Sequence, residues 1–126
     1  MIALYGEHME REVFDNRRAT LQNLFKDAAL QLLTLGMPVI FDFGFWTKLD
    51  RDDFISWAQN NDIDSEVHYL VVSYETCKHR AINRNSDLAG KSYEMTPEML
   101  ELFWSWFEVP SLDESVVWVQ QINNIR

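Results

Sequence analysis

Apolar side chains recur at every third or fourth position near the start of the chain, which is the spacing of one face of a helix. The pattern predicts a long helix from about Glu10 to Leu35, and Gly36 stands where a residue in the left-handed conformation commonly ends a helix. Charged and amide side chains occupy the opposite side, so the helix is expected to be amphipathic. Its apolar positions are Phe14, Leu21, Leu24, Phe25, Ala28, Leu32 and Leu35.

Three short apolar runs further along the chain predict strands. They cover residues 39–43, 67–72 and 116–119, and each is almost continuous, as in strands that are buried on both faces of a sheet. Helical segments separate them. Strands that alternate with helices favour a parallel sheet with helices on both faces, so the predicted fold class is α/β.

Polar capping residues predict three further helices. Residues 47–50 have the form of a capping box, which should begin a helix that runs to about Asn60. Ser73 can cap a helix that ends near Asn85. The last helix should begin at Thr96, because a proline follows in its first turn.

We expect one cytoplasmic domain over residues 1–126. Apolar residues make up 47% of the chain, which is enough for a core and argues against disorder. The net charge of −9 disfavours general binding of nucleic acid or of an anionic membrane, but it leaves a local nucleotide pocket open. No apolar run reaches the ~18 residues of a membrane helix, no secretory signal is expected, and the single Cys77 excludes an internal disulfide.

Asp42 interrupts the first predicted strand near its carboxyl end, which is where parallel α/β sheets bind their ligands. A buried carboxylate needs a partner, because an unpaired buried charge is costly. In a nucleotide-binding α/β fold such an acid can orient a Mg²⁺-bound water or the substrate. The alternative is an aspartate that only fixes its own loop, and the pattern alone does not separate these two interpretations.

Arg80 and Arg84 are four residues apart, so they share one face of the helix that follows Ser73. They precede a polar segment, residues 86–94, that predicts a mobile loop. Two guanidinium groups beside such a loop can neutralise the charge of a transferring phosphoryl group. The alternative is a solvated basic face that is paired with nearby glutamates.

Arg51 and Trp46 are the candidates for contacts with a substrate. Arg51 lies in the first turn of a predicted helix, where a cation is unfavourable, so it either reaches the strand end near Asp42 or pairs locally with Asp50 or Asp53. Trp46 follows a short glycine-containing loop at a predicted strand end and offers a surface for stacking. The alternative for this tryptophan is a place in the core.

Residues 36–51, which contain the run Asp-Phe-Gly-Phe-Trp, resemble a family of small P-loop ATPases and kinases, the AAA-domain or zeta-toxin-like proteins. The family is related to chloramphenicol phosphotransferase and to the kinase half of polynucleotide kinase. The resemblance covers nearly the whole chain, and it implies a parallel-sheet, three-layer P-loop kinase-like fold. It also implies ATP and Mg²⁺ as cofactors and a small molecule or nucleotide as substrate. The other resembling segments are residues 4–9, 67–72, 80–85, 96–101 and 107–110.

The same resemblance implies roles for individual residues. Asp42 becomes a Walker-B-like acid that holds Mg²⁺ through water, and Arg80 and Arg84 become lid arginines. Residues 86–94 become the lid loop, and Arg51 takes a supporting role.

The chain departs from this family in the motif that holds ATP. The family begins with a strand, the loop G-x-x-x-x-G-K-[ST] and a helix, and no such loop occurs among the 126 residues. The run Gly90-Lys91-Ser92 is not an exception, because Asn85 stands five positions before its glycine. We therefore expect an incomplete domain that lacks its first strand and P-loop, in which the remaining strands need other partners.

Three interpretations of function follow. The first is an ATP-binding phosphotransferase or ATPase-like domain that acts on a hydroxyl group in its complete form and is inactive as this chain. The second is a non-enzymatic module that forms a homodimer or binds a protein partner through exposed sheet edges. The third is a small-molecule binding module that uses the Trp46 region without catalysis.

Overall fold

The computed structural model describes residues 10–87 and 94–120. Two helices precede each of the two strands along these residues, and the strands are parallel, so the α/β class is confirmed. The chain divides into two compact units. Of the described residues, 10–43 and 94 belong to the first unit, and 44–87 and 95–120 belong to the second. The prediction of one domain over the whole chain stays a prediction.

The first unit is built on one long helix, α1 (Arg11–Thr34), which lies close to the predicted range. Its carboxyl end closes as a Schellman motif: the Gly36 N–H donates to the Leu33 carbonyl at 2.9 Å, and the Met37 N–H donates to the Leu32 carbonyl at 3.1 Å. Gly36 has a φ of 75°, a conformation that favours glycine, and the predicted end of the helix is thus confirmed. On α1 the buried side chain is Ala29.

The predicted strand at residues 39–43 is wrong for the described structure. Residues 37–46 contain no strand, and the part of the chain that the structure describes supplies no ladder partner for them. Every second side chain is half-buried, whereas Ile40 is 93% exposed and Asp42 is also exposed. The apolar run predicted two covered faces, but only one face of this segment is covered, which leaves the alternate positions in water. The half-buried positions are Val39, Phe41 and Phe43.

The second unit begins with the loop 44–47 and the helix α2 (Lys48–Asn60). The predicted capping box is confirmed: the Asp50 N–H donates to the Thr47 hydroxyl, and the Thr47 N–H donates to the Asp50 carboxylate, each at 3.1 Å. The helix ends in a second Schellman motif, in which Asp62 takes the left-handed position with a φ of 54°. The buried side chains of α2 are Arg51, Phe54 and Ala58.

Two parallel strands form the sheet of the second unit. They are β1 (Val67–Val71) and β2 (Val116–Gln120), and Val67 pairs in register with Val116. Both strands and their parallel direction are therefore confirmed. Tyr69 and Trp118 share one face of the sheet, and their rings meet edge to face with centroids 4.9 Å apart.

Two helices follow β1 along the chain. They are α3 (Tyr74–Asp87) and α4 (Pro97–Trp106), and both start where polar caps predicted them. The Ser73 hydroxyl accepts from the Thr76 N–H at 3.3 Å, and the Thr96 hydroxyl accepts from the Met99 N–H at 3.3 Å. The two helices are in contact, with the ring centroids of Tyr74 and Trp104 lying 5.3 Å apart. None of the described helices combines the length and apolar composition that a bilayer crossing requires.

Candidate functional site

Asp42 lies in the first unit, on the rim of an open apolar groove between α1 and residues 39–43. The groove has a volume of about 250 Å³. Its walls include Phe25 and Phe43, whose ring centroids are 6.3 Å apart. The expectation of a buried carboxylate at Asp42 is corrected, because this side chain is exposed, whereas Phe41 and Phe43 on either side of it are half-buried. Water can therefore solvate its charge, and its sequence context no longer requires a partner.

Arg80 and Arg84 lie on α3 in the second unit, and both side chains are exposed. Arg84 stands in the last turn of α3, where a cation is favoured by the helix dipole. On the same helix, burial raises the pKa of the half-buried Cys77 thiol, and the charge of Arg80 offsets part of this effect. Burial thus makes this thiol less acidic than a free cysteine.

The partner of Arg51 is Glu114, which is 63 positions away in sequence. Neither Asp50 nor Asp53 fills this role, so the local pair, one of the two alternatives left open, is corrected. Arg51 Nε donates to Glu114 Oε2 at 2.7 Å and Nη2 donates to Oε1 at 3.1 Å. The guanidinium is 2% exposed, and its hydrogen bond lowers the pKa of the Glu114 carboxyl from 4.5 to about 2. The predicted contact of Arg51 with a substrate stays a prediction.

Trp46 is partly exposed, with 38% of its surface accessible. Its ring packs on Phe103 of α4, with centroids 5.5 Å apart. The indole also folds back over Gly44, where an added Cβ would come within 2.6 Å of the indole Nε1. Trp46 therefore presents an exposed aromatic surface on a supported ring, as a stacking residue requires, and its role in binding stays a prediction.

The predicted lid loop at residues 86–94 lies mostly outside the described residues. Its two ends are described, and Asn85 joins them: the Asn85 side-chain amide donates to the Met95 carbonyl at 2.8 Å, and the Met95 N–H donates to Asn85 Oδ1 at 2.9 Å. Both residues are half-buried. These two hydrogen bonds join the residues that flank the segment 86–94, directly beside Arg84.

Sequence reasoning missed Asn85 and Glu114. A signal for Glu114 was present in the spacing Ser111-x-x-Glu114, which is typical of a capping turn, and the Ser111 N–H indeed donates to Glu114 Oε1 at 3.0 Å. No comparable local signal marked Asn85, because its partner is ten positions away across the loop.

The candidate side chains fall in two units. Asp42 belongs to the first, whereas Trp46, Arg51, Arg80 and Arg84 belong to the second. Their convergence on one cleft is therefore still a prediction.

The described donors do not by themselves fit an ATP–Mg²⁺ site. The 126 residues contain no glycine-rich loop with a following lysine, so the backbone cradle for the β- and γ-phosphates is not among the described groups. Asp42 is a single exposed carboxylate, and no group of three or more potential metal ligands occurs within residues 10–87 and 94–120. No chemical step through ATP can be derived from this set of donors.

An α/β chain with parallel strands, a helix directly after β1 and arginines on that helix is compatible with the P-loop kinase-like class. Residues 2–110 match the family model of the AAA domain, and the chain belongs to this family. Membership indicates a nucleotide-binding function of the kinase or ATPase kind, for which the family cofactors would be ATP and Mg²⁺. No curated protein and no solved structure matches the chain.

Proposed function

We propose that the chain carries the acceptor-binding and charge-stabilising part of a kinase-like domain. The complete domain would transfer the γ-phosphoryl group of ATP to a hydroxyl group of a small molecule or nucleotide. The observation that carries this proposal is the family match over residues 2–110, together with two exposed arginines on the helix that follows a parallel strand. Helix-borne guanidinium groups are suited to neutralising phosphoryl oxygens, because each offers several donors in a fixed plane.

Each candidate residue takes one role in this proposal. Arg80 and Arg84 bind the negative charge of a phosphoryl group, and both residues are exposed to solvent. Asp42 orients the acceptor hydroxyl or a metal-bound water. Trp46 stacks against the acceptor, with Arg51 supporting the loop that carries it.

We further propose that the 126-residue polypeptide does not transfer phosphoryl groups by itself. Arginines can stabilise developing charge, but they do not replace the backbone loop that positions the β- and γ-phosphates. A coupled assay with ATP, Mg²⁺ and a panel of hydroxyl acceptors should give no turnover above the protein-free blank. Robust turnover that disappears in Arg84→Ala would overturn this part of the proposal, and Lys78→Ala on the same helix is the matched control.

A second candidate function is non-enzymatic association through the sheet. Parallel sheets are normally covered on both faces, yet Leu70 is 52% exposed and Val117 is 41% exposed on the same face of β1 and β2. A two-stranded sheet is also marginal without further strands. Light scattering after size-exclusion chromatography should then report a dimer, and Leu70→Lys should shift it to monomer. A well-folded, strictly monomeric wild type would speak against this candidate.

A further inference from the structure

One nitrogen of Arg51 joins two segments that are distant in sequence. These are the Trp46 loop, residues 44–47, and the Glu108 segment, residues 107–114. Arg51 Nη1 donates to the Phe45 carbonyl at 3.2 Å and to the Glu108 carbonyl at 3.0 Å. The two segments also bond directly, because the Glu108 N–H donates to the Trp46 carbonyl at 2.7 Å. The backbone on both sides of Trp46 is therefore fixed from the interior of the second unit.

The Arg51–Glu114 ion pair holds this guanidinium in place. Two parallel N–H···O bonds join the pair, and only 2% of the Arg51 side chain and 7% of the Glu114 side chain are exposed. Glu114 Oε1 also accepts from the Ser111 N–H, so the carboxylate is itself fixed by the turn that carries it. A lysine cannot reproduce this arrangement, because its single ammonium cannot serve the carboxylate and two carbonyls in one plane.

The Trp46 ring is supported on two sides. Its indole lies so close to Gly44 that a methyl group there would clash at 2.6 Å, and it packs on Phe103 with ring centroids 5.5 Å apart. Trp46 nevertheless stays 38% exposed as a residue. An exposed ring that is already immobilised loses little conformational freedom when a planar ligand stacks on it.

We propose that Arg51 and Glu114 are positioning residues that fix the Trp46 loop, so that the indole is presented as a stacking surface for a planar aromatic ring such as a nucleobase. The ring-binding half of this inference rests on the proposed function. The positioning half does not, since it concerns the Trp46 ring in the protein without ligand.

The positioning half is tested by the indole N–H resonances of ¹⁵N-labelled protein. The chain has five tryptophans, and Trp46→Phe identifies the Trp46 resonance. We expect Arg51→Lys to shift or broaden this resonance, and Glu114→Gln, which keeps the shape of the side chain, to do the same. The matched control is Asp52→Asn, which removes the exposed ion pair with Lys48 on the same helix and should leave the Trp46 resonance unchanged.

An unchanged Trp46 resonance in a folded Arg51→Lys or Glu114→Gln protein would overturn the positioning role. If both of these variants fail to fold, Glu114→Asp decides, because it keeps the carboxylate but shortens the side chain, so that the guanidinium must move to stay paired. A shift of the Trp46 resonance in Glu114→Asp supports the role, and an unchanged resonance in the folded variant overturns it.

The ring-binding half is tested by titrating adenosine into the wild type and into Arg51→Lys. We expect adenosine to move the Trp46 resonance of the wild type, with binding weakened roughly tenfold in the variant because the ring is misplaced. No response of the wild type to adenosine, together with a shifted Trp46 resonance in ligand-free Arg51→Lys, would leave the positioning role standing and overturn the stacking surface.

Discussion

At the scale of single residues, the surroundings of a charged side chain decide whether water solvates it or an opposite charge pairs with it. Asp42 and Arg51 were both predicted to need a partner, yet the structure leaves Asp42 in water and buries Arg51 against Glu114. The sequence marked both as unusual, because one interrupts an apolar run and the other is a cation at a helix start. It did not contain the distance information that separates a solvated carboxylate from a buried ion pair.

The Arg51–Glu114 pair makes stability depend on acid pH in a defined direction. The hydrogen bond from Arg51 lowers the pKa of Glu114 from 4.5 to about 2, so the carboxylate is favoured in the folded state. Its contribution to stability is fully present above the ordinary pKa and is lost as the pH falls through about 2. Urea unfolding of the wild type and of Glu114→Gln should show a difference that is constant above about pH 5 and shrinks below it. If the wild type and Glu114→Gln differ in unfolding free energy by the same amount at pH 7 and near the folded-state pKa of Glu114, this account is contradicted.

At the scale of helices and strands, local patterns were the most reliable guide. The capping box at Thr47, the cap at Thr96 and the end of α1 at Gly36 were all predicted, because each depends on hydrogen bonds between residues within a few positions of one another. The two strands at Val67 and Val116 were also predicted, since their apolar runs are short and bounded by polar residues.

The left-handed residue that ends α2 is a site where stability can be raised. Asp62 has a φ of 54°, a conformation in which a side chain is disfavoured and glycine is not. Asp62→Gly should therefore raise the free energy of unfolding by roughly 0.5–1 kcal/mol in urea titrations. Asp64→Gly is the control, because Asp64 has no left-handed backbone to relieve and its variant should be neutral or less stable. Destabilisation of Asp62→Gly would show that the aspartate side chain is needed there.

The hydrogen bonds between Asn85 and Met95 should hold the ends of residues 86–94 together. Asn85→Ala removes both bonds and should cost about 1–2 kcal/mol of unfolding free energy. Asn85→Asp keeps the acceptor for the Met95 N–H but places a carboxylate oxygen against the Met95 carbonyl, so it should also destabilise. Amide exchange at Met95 reports the contact directly, and it should accelerate most in Asn85→Ala.

The control for this pair is Asn83→Ala, in an exposed residue of the same helix whose side-chain amide contacts His79. It should leave exchange at Met95 as it is in the wild type. Equal exchange at Met95 in Asn85→Ala and Asn83→Ala would argue that other contacts close this part of the chain.

At the scale of the whole molecule, the pairing of strands decides which apolar runs become a sheet. β1 and β2 pair in parallel although 45 positions separate Val71 from Val116, whereas residues 39–43 remain without a ladder among the described residues. A run of apolar residues is compatible with a strand, but a strand also needs backbone partners that the run itself does not supply.

The ladder predicts protected amides in the sheet. Backbone amides in β1 and β2 that face the partner strand should exchange slowly, because the ladder bonds them, whereas amides of the exposed residues 64–66 before β1 should exchange faster. Exchange measured by NMR or by mass spectrometry of short peptides distinguishes the two. Equal exchange in both segments would argue against a stable ladder.

The sequence by itself determined the family, the positions of the helices, their caps and the parallel character of the sheet. These features depend on side-chain periodicity and on hydrogen bonds within a few residues, so they can be recognised from order along the chain alone. Only the tertiary structure decided that Arg51 pairs with Glu114, that Asn85 binds Met95 and that Asp42 is exposed. The reason is that burial and long-range partners are set by the path of the chain in space, which brings together residues whose separation in sequence carries no signal.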